Sequence, residues 1–241
     1  MTNNFGMSTD KKTTLDECRR LLEVAKLQFC EYIMKAMRDE QLDIIEQMTI
    51  LHYLIAVILL KHLKHPNVVE DMTVTEWLLR RHHHFSVGDN TVNAAIVTVK
   101  NYNTSLQLAT SFMLEEDEEM VFDIYFRKLR PTLLGNNFQD SIYFFISTTG
   151  EKIQNASDYL LGFHQRYDLT PVTSQEISHV VQNYVSPKFT CGGKRVVDYY
   201  LSHKDERFRN LDDLVMGSRI INKLGSEEDL LALTSRKRKR E

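Results

Sequence analysis

The chain contains little cysteine and no long uninterrupted apolar stretch. Its three cysteines, Cys18, Cys30 and Cys191, are odd in number and lack motif spacing, which favours a reducing compartment over a disulfide scaffold or a zinc site. We expect Cys18 and Cys30 to fill the face of a helix. The longest apolar run, MTILHYLIAVILLKHL, is interrupted by His52 and is too short to span a bilayer, so it predicts a buried helix.

A hydrophobic leader is also missing, because the start MTNNFGMSTDKK is polar, and we do not expect secretion or membrane association. The 241 residues are 42% apolar and 26% charged. That composition is typical of a soluble globular protein with one large domain or two small ones.

Charge is unevenly spread along the chain. The formal net charge of −3 comes from 30 basic and 33 acidic residues. The stretch SRKRKRE holds five basic residues and one acid, so the rest of the chain has 25 and 32, a charge of −7. With a charge of −7, the chain outside this stretch is not expected to present a generic nucleic-acid-binding surface. The basic run is typical of a nuclear localisation signal, with a solvated charge run as the alternative, and we expect a nuclear protein. Its members are Arg236, Lys237, Arg238, Lys239 and Arg240.

The hydrophobic periodicity predicts a mainly α fold with a small antiparallel β-sheet. Residues 1–13 are expected to form a disordered N-terminus, 14–224 one domain and 225–241 an acidic-then-basic flexible tail. Thr13 or Thr14 should cap a first helix whose apolar face carries Leu15, Leu22, Leu27, Phe29 and Ile33. A second helix is expected over 42–63, and Pro66 should start or bound the next turn.

The following segments alternate between strand and helix patterns. NAAIVTVKNYNTSLQLATSFML predicts a β-hairpin, and EEDEEMVFDIYFRKLRPTLL predicts a helix that stops at Arg130-Pro131. SIYFFISTTG predicts a short strand with a turn. Helices are expected in NASDYLLGFHQRYDL and TSQEISHVVQNYV, and KRVVDYYLSHKDERFR and LDDLVMGSRIINKL close the ordered part.

Four stretches stand out in order along the chain: LKHPNVVEDMTVTEWL, VTVKNYNTSLQLATSFMLEEDEEMVFDIYFRKLRP, FFISTTGEKIQNASDYLLGFHQRYDLTPVTSQ and VVDYYLSH. In this order they resemble the catalytic domain of tyrosine recombinases from Crypton-type DNA transposons and their host-captured relatives. Together they cover about 42–210. The resemblance implies a tyrosine recombinase-like fold and an ancestor that cleaved DNA through a covalent phosphotyrosine.

The chemistry implied by the resemblance needs particular side chains. Two arginines hold the charge of the phosphorane transition state, a hairpin lysine acts as general acid, and histidines assist proton transfer. Here His65 stands at the first arginine position and Asn103 at the lysine position. Ser178 or His179 stands where the second arginine follows Gln175 of the T-S-Q motif.

The nucleophile position is also changed. The motif histidine is retained as His203, but Phe208 stands where the tyrosine is expected, and phenylalanine has no oxygen for the attack. The resemblance therefore implies an inactive enzyme without metal, cofactor or small-molecule substrate. A displaced nucleophile at Tyr184, Tyr199 or Tyr200 is the alternative, with core packing the simpler interpretation.

Other polar stretches offer weaker candidates. RRHHHF is expected to be a solvated loop rather than a metal site, with Arg80 and Arg81 available to DNA phosphates. CGGKR is expected to be a turn rather than a phosphate loop. Lys188, Lys194 and Arg195 are the main DNA-contact candidates outside the tail. The acidic run EEDEE is placed at the outside start of a helix.

The whole pattern predicts a binding protein rather than an enzyme. Only about 40 residues precede the helix at 42, too few for the N-terminal arm with which active recombinases clamp DNA. The apolar side of the segment 211–224 should either cap its own core or mediate self-association. We expect a nuclear, DNA-associated binding or scaffold module, with double-stranded DNA as a partner. A nuclear protein-interaction module without a DNA role is the alternative, and DNA cleavage by a displaced tyrosine is the third.

Overall fold

The computed structural model of the chain describes residues 14–87, 90–100, 109–135, 141–173, 175–177, 179–180, 196–198, 200–201 and 211–223. The fold is mainly helical with a small three-stranded antiparallel sheet, which confirms the predicted class. The expected terminal segments 1–13 and 225–241 lie outside the described residues.

The elements follow one another in a simple order. The helices are α1 (Leu15–Met37), α2 (Ile44–Ala56), α3 (Pro66–Asp71), α4 (Val74–Leu78), α5 (Glu116–Ile124), α6 (Arg130–Leu134), α7 (Ala156–Arg166) and α8 (Leu211–Lys223), and the strands are β1 (Arg81–Val87), β2 (Asn90–Lys100) and β3 (Ala109–Glu115). A π-helical turn, Val57–Lys61, continues α2, and another, Tyr125–Leu129, continues α5.

Helix α1 begins with the predicted threonine cap. The Thr14 hydroxyl accepts the Glu17 N–H, and the Glu17 carboxylate accepts the Thr14 N–H, which forms a capping box. The buried face includes Leu15, Cys18, Leu21, Phe29 and Ile33. The expectation that Leu27 and Cys30 lie on this face is wrong: Leu27 is 83% exposed and Cys30 is exposed. At 100° per residue their positions point away from the face that the neighbouring helices cover.

Helix α2 is the predicted buried helix. It runs without a break into the π-helical turn, and most of its second half is buried. The expectation that the apolar run is too short for a bilayer is wrong on length: the 18 residues from Ile44 to Lys61 have a mean hydropathy of 1.6, enough by length and composition to cross a membrane. Some 56% of that window is buried inside the fold, as in the core helix of many soluble proteins.

The β-hairpin is confirmed, and it has a third partner that the sequence did not predict. Strands β2 and β3 pair antiparallel, with Lys100 opposite Ala109, and β1 pairs with β2 with Arg81 opposite Ile96. The stretch RRHHHF is therefore an edge strand rather than a solvated loop. Histidine has little strand preference of its own, and the backbone hydrogen bonds of β2 provide the stabilisation that local propensity does not.

Two other expectations about elements are wrong. SIYFFISTTG forms the predicted turn, in which the Gly150 N–H donates to the Ser147 carbonyl at 3.0 Å, but in place of a strand it has two isolated bridges, Thr73 to Tyr143 and Ile146 to Lys152. The helix also does not stop at Arg130-Pro131. A π-helical turn leads into α6, where Pro131 occupies the first turn and needs no N–H partner.

Helix α8 packs on its own fold. Leu214, Val215, Ile220 and Ile221 are buried within the chain, which favours the core-capping interpretation of this segment. A Cβ on Gly217 would lie 2.6 Å from the Cβ of Tyr200. A side chain at this position would therefore push α8 away from the helical residues 196–198 and 200–201.

Candidate functional site

The corner between α2 and α3 is the best described of the sequence-predicted positions. The π-helical turn ends where the His62 N–H donates to the Val57 carbonyl at 3.1 Å. Leu63 then takes a left-handed conformation with φ 52°, which costs roughly 1 kcal/mol in a residue with a Cβ. Pro66 starts α3, where its missing N–H is no loss.

His65 is exposed at this corner and serves as the N-cap of α3. Its Nδ1 accepts the Asn67 N–H at 3.3 Å. An arginine in the same place would present only donors, whereas this ring nitrogen acts as an acceptor. The corner therefore offers no bidentate donor pair for a phosphate at His65.

Lys64, one residue earlier, points inward. Its ammonium group donates to the carbonyl oxygen of Tyr200 and lies 3.6 Å from the centre of the Tyr200 ring. The side chain is buried, and burial holds its pKa well below the usual 10.5. The corner and the helical residues around Tyr200, which are 136 positions apart in the chain, are thereby joined in space.

Tyr200 and His62 are buried and form a polar cluster with the half-buried Glu118 and Lys61. Its hydroxyl lies 3.3 Å from His62 Nδ1, and the other ring nitrogen of His62 lies 3.5 Å from Glu118 Oε1. Lys61 Nζ lies 2.7 Å from the same carboxylate oxygen. Burial alone would raise the pKa of Glu118, but His62 and Lys61 lower it to about 2.

The phenol of Tyr200 in this cluster is closed to solvent. Tyr200 is 1% exposed, and burial raises the pKa of its phenol. Formation of a phenolate is therefore disfavoured, and the hydroxyl has no open face for a phosphodiester. The outward position predicted for the acidic run also needs a correction, since Glu118 reaches this cluster while Glu115, Glu116 and Asp117 are exposed.

The two arginines before the histidine run have different surroundings. Arg80 lies against the Trp77 ring with its guanidinium carbon 4.1 Å from the ring centre, and its Nε donates to Glu119. Asp123 lies 3.8 Å from its Nη2. The charge of Arg80 is thus neutralised within the protein, whereas Arg81 is exposed at the start of β1.

The adjacent histidines make contacts of their own. His82 Nε2 lies 2.8 Å from Glu119, and His84 Nδ1 lies 2.6 Å from Asn93. Among the described residues no group of three or more His, Cys, Asp or Glu side chains is placed to hold a metal ion.

The remaining sequence-predicted positions fall into two groups. Gln175 is exposed near the start of a helical stretch, where the Thr173 hydroxyl and the Glu176 carboxylate form a reciprocal cap. Several predicted residues lie outside the described residues, so the structure brings together only the corner and the Tyr200 helix. His179, the alternative to Ser178, is described and exposed. The residues outside are Asn103, Ser178, Tyr184, Tyr199, His203, Phe208, Lys188, Lys194, Arg195 and the basic run 236–240.

A groove between α1 and α5 was missed from the sequence. It encloses about 600 Å³, with Phe29, Ile33 and Val57 among the residues that line it. Met34, Met37 and Met120 stand at its side with 42–46% exposure. The signal for it is the apolar arc on α1, where Leu22, Met34 and Met37 extend beyond the single stripe needed to bury the helix.

Comparison of the chain with models of protein families, with curated proteins and with solved structures finds no match.

Proposed function

We propose that this chain is a catalytically inactive relative of the Crypton-type tyrosine recombinases, with their catalytic-domain fold, and that it acts in the nucleus as a DNA-associated binding or scaffold module. The observation that carries the proposal is the contact of Lys64 with Tyr200. In the resembled family the corner and the Y-L-x-H helix both contribute to one active site, and here the same two segments are neighbours.

The proposal of inactivity rests on the residues that stand at the positions to which the resemblance assigns catalysis. His65 accepts a backbone hydrogen bond where the family has a phosphate-binding arginine. The Tyr200 hydroxyl is buried, and Asn103 and Phe208 cannot act as an acid or as a nucleophile at neutral pH. Loss of one catalytic group costs about 10²–10⁴-fold in rate at such sites, so the combined losses leave no effective catalyst.

The proposed DNA contacts come from basic residues elsewhere in the sequence. Arg81 is exposed, and the segment 188–195 and the run 236–240 supply further cations. The rest of the chain is acidic, so binding should be weak in sequence preference and should depend on phosphate neutralisation.

Fluorescence anisotropy of a labelled duplex at several salt concentrations tests the DNA role. The full chain is compared with a variant in which Arg236, Lys237, Arg238, Lys239 and Arg240 are all changed to Gln. Neutralisation of five phosphates by the basic run should contribute about −4.5 to the slope of log K against log salt, so the variant should retain weaker binding with a slope shallower by about that amount. Arg38→Gln with Arg127→Gln serves as a matched control that leaves the slope unchanged.

The anisotropy result has two contrary outcomes. A variant that no longer binds at all would leave the folded body without a nucleic-acid role. Binding by neither protein would remove the DNA role altogether.

The absence of catalysis is tested separately with a nicked duplex that traps a covalent phosphotyrosine. We expect no protein band shifted by attached DNA under denaturing conditions. Such an adduct would overturn the inactive assignment and would point to a displaced tyrosine.

A second candidate function, a protein-interaction module with no DNA role, is favoured by the groove between α1 and α5. Methionines with exposed thioethers adapt to varied apolar partners. Affinity for a nuclear protein that is indifferent to added DNA would favour this function.

A further inference from the structure

The groove between α1 and α5 has an apolar floor that no described element covers. Phe29 stacks on Tyr53 with ring centres 3.9 Å apart, and both rings line the floor. Met34 of α1 and Met120 of α5 are exposed and belong to the lining. Such a surface fits a short apolar segment rather than a polar small molecule.

The groove has a rim of exposed acids, and its lining as a whole carries four acids and three bases, a net charge of −1. Glu23, Glu115 and Asp117 line it and are exposed. Of the three cations in the lining, Lys61 is paired with Glu118, and Arg19 donates to backbone carbonyls. Lys26 is the cation of the lining for which no such partner is described. With the Lys61–Glu118 pair set aside, three acids and two bases remain, so a segment with a small net positive charge beside apolar residues complements the groove.

The C-terminal end of helix α8 lies at this groove. Its residue Asn222 is part of the lining, and the Asn222 carbonyl accepts from Arg19 Nη1 at 3.5 Å. The stretch that follows contains the apolar run LLAL, residues 230–233, and then the five cations 236–240.

We infer that the segment 225–241 binds in this groove of its own chain. The run LLAL covers the floor between α1 and α5, and the five cations lie along the acidic rim. In this arrangement the acidic residues 227–229 lie beside Lys26 of α1. This inference stands independently of the proposed DNA role, because it depends only on the groove and on the composition of the segment.

The connecting chain is long enough for this arrangement. Leu230 is eight residues beyond Asn222, and eight extended residues span at most about 28 Å. The groove from Arg19 to Met34 follows 15 residues of α1, a length of about 22 Å. The apolar run can therefore reach the whole floor without displacement of α8.

Binding in the groove has a direct consequence for the basic run. Cations that lie along Glu115 and Asp117 are not free to contact DNA phosphates or a nuclear import receptor. The groove then competes with any external acidic partner of the segment, and ligands of the groove release the cations.

The alkylation rate of Cys30 in the full chain tests the inference. Cys30 is exposed and lines the groove, so a bound segment shields it. With the segment bound about nine-tenths of the time, Cys30 reacts with N-ethylmaleimide about tenfold more slowly than when the groove is open. Peptide-resolved mass spectrometry separates it from Cys18 and Cys191.

Three changes in the full chain should each restore the fast rate: Leu230→Asp with Leu231→Asp, Met120→Asp, and replacement of the five cations by Gln. Leu79→Asp is the matched control, because Leu79 is a 72% exposed apolar residue that does not line the groove, and it should leave Cys30 protected. Cys18 is buried and should stay unreactive in every variant, which verifies that each one is folded.

Two results would overturn the inference. Cys30 would react equally fast in the unchanged chain and in the Leu230→Asp, Leu231→Asp variant if the segment did not cover the groove. Protection that rises with protein concentration would assign the groove to a segment of a second copy.

Discussion

Glu118 shows how one residue organises the polar interior. Its carboxylate lies 2.7 Å from Lys61 Nζ and 3.5 Å from His62 Nε2, with its side chain 14% exposed. Removal of one partner from a buried ion pair leaves the other charge without compensation, which is more costly than the loss of a surface pair.

Glu118→Gln should therefore destabilise the protein by about 1–2 kcal/mol, because the half-buried Lys61 loses its anionic partner. Urea unfolding at neutral pH measures the change. The neighbouring exposed Glu116 provides the control, since Glu116→Gln should alter the free energy of unfolding by less than about 0.5 kcal/mol. Equal stability of the two variants would contradict the assigned role.

His52 gives the fold a dependence on pH. It packs edge-on against Tyr159 and Phe163, and its ring nitrogens have no hydrogen-bond partner within the described residues. Burial, with a smaller contribution from the charge of Arg166, lowers its pKa from 6.5 to about 4. The His52 ring therefore binds a proton near pH 6.5 in the unfolded chain but only near pH 4 in the folded chain.

The stability due to neutral His52 is present above pH 6.5 and is lost as the pH falls towards 4, with a total of about 3 kcal/mol. In urea unfolding across this range, His52→Leu should lose less stability than the unchanged chain. His179→Gln, at an exposed histidine, should retain the original profile. Parallel profiles for His52→Leu and the unchanged chain would rule out the effect.

At the scale of elements, Arg19 holds α8 against α1 and the end of α2. Its Nη2 donates to the Ile221 carbonyl at 2.6 Å and to the Lys61 carbonyl at 3.4 Å. Both carbonyls lie at helix ends, where no intrahelical partner remains. One guanidinium thus satisfies two helix termini at once.

Arg19→Ala should loosen α8 more than it destabilises the whole fold. Charged hydrogen bonds of this type contribute roughly 1.5–3 kcal/mol, so amide hydrogen exchange in α8 should accelerate by about 10- to 100-fold. The exposed neighbour Arg20 supplies the control, and Arg20→Ala should leave the exchange rates of α8 unchanged. If the Arg19→Ala and Arg20→Ala variants had the same amide exchange rates in α8, Arg19 would not be the residue that holds this helix in place.

At the scale of the whole molecule, the five cations of 236–240 connect the two proposals. The DNA experiment asks whether these cations contact phosphate, and the Cys30 experiment asks whether they lie on the acidic groove. Salt weakens both interactions because both are ionic. A variant such as Met120→Asp separates them, since it opens the groove and leaves the cations themselves unchanged.

The sequence by itself determined the elements whose causes are local. The threonine cap of α1, the start of α3 at Pro66 and the hairpin of β2 and β3 follow from hydrogen bonds and apolar periods within a few residues. The coarse class, mainly helical with a small sheet, follows from the sum of these signals. For the candidate site, the sequence predicted only which residue types stand at which positions, such as His65 at the corner.

Only the tertiary structure decided the features that depend on distant partners. Strand β1 exists because β2 supplies its backbone hydrogen bonds, and the run past Pro131 remains helical because a π-helical turn accommodates it. Lys64 is buried because Tyr200, far along the chain, provides a carbonyl and a ring. The groove likewise needs α1 and α5 side by side. No local propensity encodes such contacts, because each one depends on where a remote segment packs.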